Sequence, residues 1–117
     1  MLKAAYVTTA LLALVGPALA LELIPPSDLS QSFFDAKPIT STDAKGRDAK
    51  LIFAPGGAVT FTNASGRASE GTWRLSDEGF CMTVGGAKRE SCYIVVKQND
   101  GKLSALKRSG QPYTWSR

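Results

Sequence analysis

The sequence contains no histidine. That absence removes imidazole acid–base catalysis, Ser-His-Asp and Cys-His nucleophilic mechanisms, and every histidine-ligated metal centre. Cysteine is scarce, with only Cys81 and Cys92 present. No glycine-rich phosphate loop occurs, because Gly56-Gly57 and Gly85-Gly86 lie in expected hairpins with no helix after them. No calcium-loop spacing, internal repeat or low-complexity tract is found. Beyond residue 20 no apolar run approaches the roughly 20 residues that a spanning helix needs. No catalytic, cofactor-binding or metal-binding residue is therefore expected. Carboxylates are the remaining candidates for chemistry, but Asp77-Glu78 read as a solvated turn, and Glu70 and Glu90 stand alone.

The opening segment carries the clearest message. Met1–Ala20 reads MLKAAYVTTALLALVGPALA. A single cation, Lys3, precedes an apolar run to Val15, Gly16-Pro17 break it, and Ala18-Leu19-Ala20 offers small residues where a signal peptidase cuts. Residues 1–20 are expected to be a signal peptide and residues 21–117 a single β domain, periplasmic or secreted, with no transmembrane segment after cleavage. No cysteine follows the expected cut, which argues against a lipid anchor. In an oxidising compartment the two cysteines are expected to form a disulfide, which a domain this small would use as a staple.

Most of the remaining chain reads as short strands between turn signals. Ser27 is the expected N-cap of a helix over about Asp28–Asp35, with Leu29, Phe33 and Phe34 as its apolar stripe and Pro38 beyond its end. Leu21–Pro26 is expected to be an extended lead-in. Strands are expected over Ile39–Thr42, Ala49–Ala54, Val59–Asn63, Glu70–Ser76, Phe80–Val84, Glu90–Lys97, Lys102–Lys107 and Pro112–Trp115. Intervals of about 8–12 residues point to a small antiparallel eight-stranded barrel or bent sheet with one short N-terminal helix and one hairpin disulfide.

The disulfide and the turn give the same register. Opposed residues of an antiparallel pair have a constant index sum. Pairing Cys81 with Cys92 also pairs Thr83 with Glu90 and leaves a short loop around Gly86-Ala87. Phe80, Met82 and Val84 then share the core face with Ser91, Tyr93 and Val95. Cys81 and Thr83 share the other face with Glu90, Cys92, Ile94 and Val96. The helix is the expected cover for Ile94 and Val96. A redox role is disfavoured, because exchange catalysts hold two closely spaced cysteines at a helix start.

Charge is uneven. Gly85–Arg117 carries seven cations and two anions, whereas Leu21–Val84 has a slight acidic excess. Lys88, Arg89, Lys107, Arg108, Tyr113 and Trp115 are the candidate interaction residues: the basic end would suit an anionic partner such as a lipid headgroup, lipopolysaccharide or an acidic protein, and Tyr113 and Trp115 would either close the sheet or form an exposed contact patch. No basic helix or aromatic RNA-binding pattern points to nucleic acid. Trp73, Phe61 and Phe80 fall on inward positions. Eight short strands in fewer than 100 residues are expected to leave a filled interior rather than a ligand-holding lumen.

At Gly71-Thr72-Trp73, Gly79-Phe80-Cys81 and Cys92-Tyr93 the chain resembles a group of small exported alphaproteobacterial β-proteins of unknown function. The likeness covers most of Ser27–Val96 and implies class and compartment, but no mechanism and no functional residues. More weakly, the chain is similar to exported bacterial protease inhibitors, which are small one-disulfide barrels that insert an N-terminal trunk into a protease cleft. Leu21–Ser27 would be that trunk, although the cysteines of those inhibitors are placed differently.

The expectation from sequence is a non-enzymatic periplasmic interaction or envelope protein, its partner an unidentified protein or envelope component. The alternatives are an inhibitor of an exported protease or lysozyme, and a small lumenal ligand binder.

Overall fold

A computed structural model describes residues 21–117. The expected signal peptide, residues 1–20, lies outside the described residues. The described elements, in chain order, are β1 (Glu22–Leu23), α1 (Pro26–Ser32), β2 (Ile39–Thr42), β3 (Asp48–Phe53), β4 (Ala58–Thr62), β5 (Ala68–Leu75), β6 (Phe80–Val84), β7 (Ser91–Lys97), β8 (Leu103–Lys107) and β9 (Tyr113–Ser116). Every pairing is antiparallel. Strands β2 to β9 pair in sequence and β9 returns to β2, closing an eight-stranded barrel. Closure leaves no long unpaired edge to recruit another strand.

Four of the hairpins use one turn. In each, a residue's N–H donates to the carbonyl four residues on, and its own carbonyl accepts from the residue three on. The pairs are Asp43–Arg47, Ala54–Ala58, Asn63–Arg67 and Gln98–Lys102. The residue three on is always glycine with positive φ: Gly46 (81°), Gly57 (106°), Gly66 (91°) and Gly101 (86°). This is a three-residue hairpin closed by a glycine bulge, in which the left-handed conformation costs a glycine little. Asp43 and Asn63 reinforce two of these turns, each side-chain oxygen accepting two backbone N–H groups.

The register around the disulfide agrees with the sequence reading. Phe80 faces Tyr93, Cys81 faces Cys92 and Met82 faces Ser91, and the cysteines are bonded. The ladder stops there, however. Thr83 and Val84 pair only with Thr72 and Gly71 of β5, so residues 85–90 form a longer loop than the expected hairpin turn.

Three details of the N-terminal region depart from expectation. The lead-in contains a strand, with Glu22 and Leu23 opposite Lys97 and Val96. Strand β7 extends beyond the reach of β6, and β1 occupies the freed edge. The helix begins at Pro26 with Pro25 as N-cap and no side-chain cap, so Ser27 lies within its first turn. Proline suits that first position because its missing N–H has no helical acceptor to reach. The helix ends at Ser32 rather than Asp35, and Ala36, with φ 66°, turns the chain into the barrel wall.

The helix also covers a different surface from the one expected. It plugs one end of the barrel, and the outer face near Ile94 and Val96 adjoins β1 instead. Leu29 and Phe34 are buried within the cluster formed by Ile39, Phe53, Val59, Phe80, Val95 and Trp115. Phe34 lies against Phe53 and Trp73 with ring centroids 4.2 and 4.6 Å away. Trp73 Nε1 donates to the Ala54 carbonyl at 2.8 Å, which satisfies its one polar atom within the plug. After β9, Arg117 donates to the Ser32 and Phe33 carbonyls and pairs with Asp35, tying the helix end to the barrel.

Candidate functional site: a half-open lumen

The plug fills only one half of the barrel. Hairpins 43–47 and 63–67, loop 85–90 and the segment between β8 and β9 surround the opposite end. That end opens into a cavity of about 710 Å³. The filled interior expected from sequence is therefore corrected. The reason lies in the size of the inward side chains. On the plug side they are Phe53, Trp73, Phe80 and Trp115. Towards the mouth they include Ser41, Ala49, Ser69, Ser91 and Ala105, all of which line the cavity. Ser41 pairs with Ala49, and Ser69 with Phe61, across neighbouring strands. Small residues on adjacent strands leave a volume that no other described residue fills. This signal was present in the sequence, in alternate positions of several strands, but it becomes visible only once register assigns those positions to one end.

Leu51, Phe80 and Trp115 lie at the base of the cavity, all buried. Phe61, Met82, Val84, Tyr93 and Tyr113 line it above the base. Tyr93 stacks on Phe80 at 5.2 Å and meets Tyr113 edge-on at 6.4 Å. Burial, with Tyr113 adding to it, pushes the Tyr93 phenol above its ordinary pKa; like any tyrosine at neutral pH it is protonated and can donate a hydrogen bond. The base is thus aromatic and largely apolar, while the upper wall carries hydroxyl groups.

The mouth has two electrostatic halves. On the β2–β3 side the charges satisfy one another. Asp43 pairs with Arg47 at 2.8 Å, and Asp48 accepts from Thr42 Oγ1 at 2.7 Å. Asp43 is held below the ordinary aspartate range chiefly by the Arg47 backbone N–H, which together with the Arg47 guanidinium and the Lys45 N–H outweighs the opposing desolvation. An acid held in this way is a poor general base. Across the mouth, Arg89 lines the cavity and, among the described residues, has no carboxylate partner. Its neighbour Glu90 is taken by Arg74 on the outer wall, at 2.8 and 2.7 Å.

The candidate residues separate accordingly. Lys88, Arg89, Lys107 and Arg108 all fall at the open end, on loop 85–90 and at the end of β8. Lys107 Nζ lies 6.0 Å from the Tyr93 ring centroid. Lys97, Lys102 and Arg117 belong to the plugged end, so the basic C-terminal third does not form one patch. Tyr113 lines the lumen. Of the two roles open to Trp115, closing the sheet or forming an exposed contact patch, the structure shows the first: it is only 3% exposed and lies at the base of the cavity, because β9 closes the barrel against β2 and turns that face inward. The expected trunk, Leu21–Ser27, is occupied by β1 and the start of α1. Cys81, Glu90 and Cys92 are, among the described residues, a cluster close enough to bind a metal. The two sulfurs are bonded to each other, which leaves no thiolate to ligate. Sequence reasoning missed Asp43, Arg47 and Asp48 at the mouth, because turn residues read as merely solvated.

No protein-family model matches the chain, and neither a curated protein nor a solved structure shows significant similarity to it.

Proposed function

We propose that this protein is an exported, non-enzymatic carrier that holds a small, largely apolar molecule in the open half of its barrel. The supporting observation is the 710 Å³ lumen with its aromatic base and hydroxyl-bearing wall. Its size is within the range of small-molecule sites, and eight strands enclose enough space for one such ligand. Burying an apolar ligand against Phe80, Trp115, Leu51 and Met82 releases water from largely apolar surface. The lining carboxylates are hydrogen-bonded or ion-paired, which favours binding over catalysis. The leader-like residues 1–20 and the disulfide favour an oxidising compartment, the periplasm or the exterior.

An inhibitor acting through an inserted trunk would first have to release Glu22 and Leu23 from β7 and unwind the start of α1. The lumen needs no such rearrangement.

The test is titration of the oxidised 21–117 chain with an uncharged apolar fluorophore, read by the probe's emission and by quenching of Trp115 at the cavity base. Stoichiometric binding to the wild type is expected. Val84→Trp, which places a large ring in the upper lumen, is expected to abolish it while far-ultraviolet circular dichroism stays unchanged. Ala105→Phe repeats the test from a different strand. Equal probe binding by wild type and both folded variants would overturn the lumenal reading.

A further inference from the structure

We infer that the ligand is an anionic amphiphile, with one short apolar chain seated on Phe80 and Trp115 and a carboxylate or phosphate head held at the mouth by Arg89 and Lys107. This inference rests on the lumenal reading and adds the chemistry of the head.

The strand register supplies the first reason. Arg89 stands on loop 85–90, two residues before the inward-facing Ser91 and Tyr93 of β7, and lines the cavity. The inward set of β8, Leu103 and Ala105, continues at Lys107, whose Nζ lies over the cavity-lining Tyr93. Lys107 thus ends an inward-facing row and Arg89 stands beside another, both at the point where the lumen reaches solvent. A lysine or arginine ending an apolar inward row places its stem on apolar surface and its charge at the water boundary, which suits a ligand of the same polarity gradient.

The second reason is that this charge is not used internally. The three ion pairs among the described residues engage Arg47, Arg74 and Arg117. Arg89 and Lys107 join none of them. On the β2–β3 side of the mouth, by contrast, Arg47 is matched by Asp43.

The third reason is the distribution of charge along the barrel. The open-end segments carry Lys45, Arg47, Arg67, Lys88, Arg89, Lys107 and Arg108 against Asp43, Asp48 and Glu90. The plugged end carries Glu22, Asp28, Asp35, Asp77, Glu78 and Asp100 against Lys37, Lys97, Lys102 and Arg117. The chain is basic at the mouth and acidic at the plug. Such a field draws an anion towards the lumen and orients it head outward.

Strand geometry sets the length of the apolar part. From Phe80 at the base to Val84 near the rim is four residues, roughly 13 Å along a strand, or about 10 Å of depth once the strand tilt is included. That accommodates one short chain but not a two-chain lipid.

The experiment compares four ten-carbon probes on the oxidised 21–117 chain by isothermal titration calorimetry at neutral pH. They are decanoate, decyl phosphate, decanol and decylamine, with inorganic phosphate alone as a fifth. At least one anion is expected to bind about tenfold or more tighter than decanol, and decylamine the most weakly, as charge-assisted hydrogen bonds to a head group require. The tighter of decanoate and decyl phosphate identifies the head. In Arg89→Gln/Lys107→Gln the anion-to-decanol ratio is expected to fall towards one, whereas Lys97→Gln at the plugged end keeps it. Raising salt is expected to shrink the ratio in the wild type. Decanol binding as tightly as the anions, or an unchanged ratio in the folded double variant, overturns the anionic head and leaves the lumenal reading standing. Tight inorganic phosphate binding that decyl phosphate does not improve would show a surface anion site and overturn the amphiphile. If none of the ten-carbon probes binds, both readings fail together.

Discussion

Phe34, two residues past the end of the only described helix, stacks on Phe53 in the barrel wall with ring centroids 4.2 Å apart and planes 25° from parallel. The contact makes the N-terminal segment part of the core rather than an appendage. It also divides the barrel into a filled half and an open half, because Phe34 further contacts Phe80 and Trp73 and closes the lumen from below.

Phe34→Ala should therefore act as a core truncation. Phe34 is 1% exposed, and removing such a ring costs about 3–5 kcal/mol. Chemical denaturation should show a midpoint shift of that size with a similar denaturant slope. A loss below about 1 kcal/mol would mean that the plug contributes little to the fold.

The disulfide joins adjacent strands eleven positions apart in sequence. Closing such a loop restricts the unfolded chain and contributes about 3 kcal/mol on the chain-entropy account. Cys81→Ser/Cys92→Ser should lose roughly that much, and a reductant should destabilise the wild type but not the double variant. Cys81 is 1% exposed, so the serine hydroxyl adds a burial cost that Cys81→Ala/Cys92→Ala would avoid.

Gly71 and Gly79 are set by close backbone approach rather than by turn geometry. A Cβ on Gly71 would overlap the Thr83 carbonyl, and one on Gly79 would overlap the Tyr93 carbonyl. Neither obstacle is a flexible side chain, so the strands themselves must part. Gly71→Ala and Gly79→Ala should each cost about 1–3 kcal/mol or more. Gly86→Ala, where a Cβ meets open space, should be nearly silent when thermal melts of the three variants are compared with the wild type.

Acid should loosen the plug and the mouth together. Asp35 is held below its ordinary pKa chiefly by hydrogen bonds from the Arg117 guanidinium, Asp43 chiefly by the Arg47 N–H, and Glu90 chiefly by the Arg74 guanidinium. Each folded-state pKa is depressed, so each contribution is fully present above the unfolded value near pH 4. It is lost as pH falls through the folded value. Asp35→Asn should be less stable than the wild type at neutral pH, and the gap should narrow as pH falls below the ordinary aspartate range and through the depressed folded value. A gap that persists undiminished in acid would show that Asp35 acts through packing rather than charge.

Much of this architecture is legible in the chain itself, because its signals are local. Gly46, Gly57, Gly66 and Gly101 occupy left-handed positions that a three-residue hairpin requires, and they mark the strand ends in any context. Alternation in Val59–Phe61 and Phe80–Val84 assigns faces, and the cysteine spacing fixes the β6–β7 register. The absence of histidine rules out imidazole chemistry whatever the fold. The tertiary structure decided what depends on non-local closure. That β9 pairs with β2 follows from the curvature accumulated over eight strands, and it decides between the two roles open to Trp115, which closes the sheet at the cavity base instead of forming an exposed patch. The plug rests on Phe34 meeting Phe53, nineteen positions away. The lumen exists because Ser41, Ala49, Ser69, Ser91 and Ala105, unremarkable in their own strands, face one another only after the barrel closes. Local chemistry set the strands and turns, and the closing of the sheet determined where space was left between them.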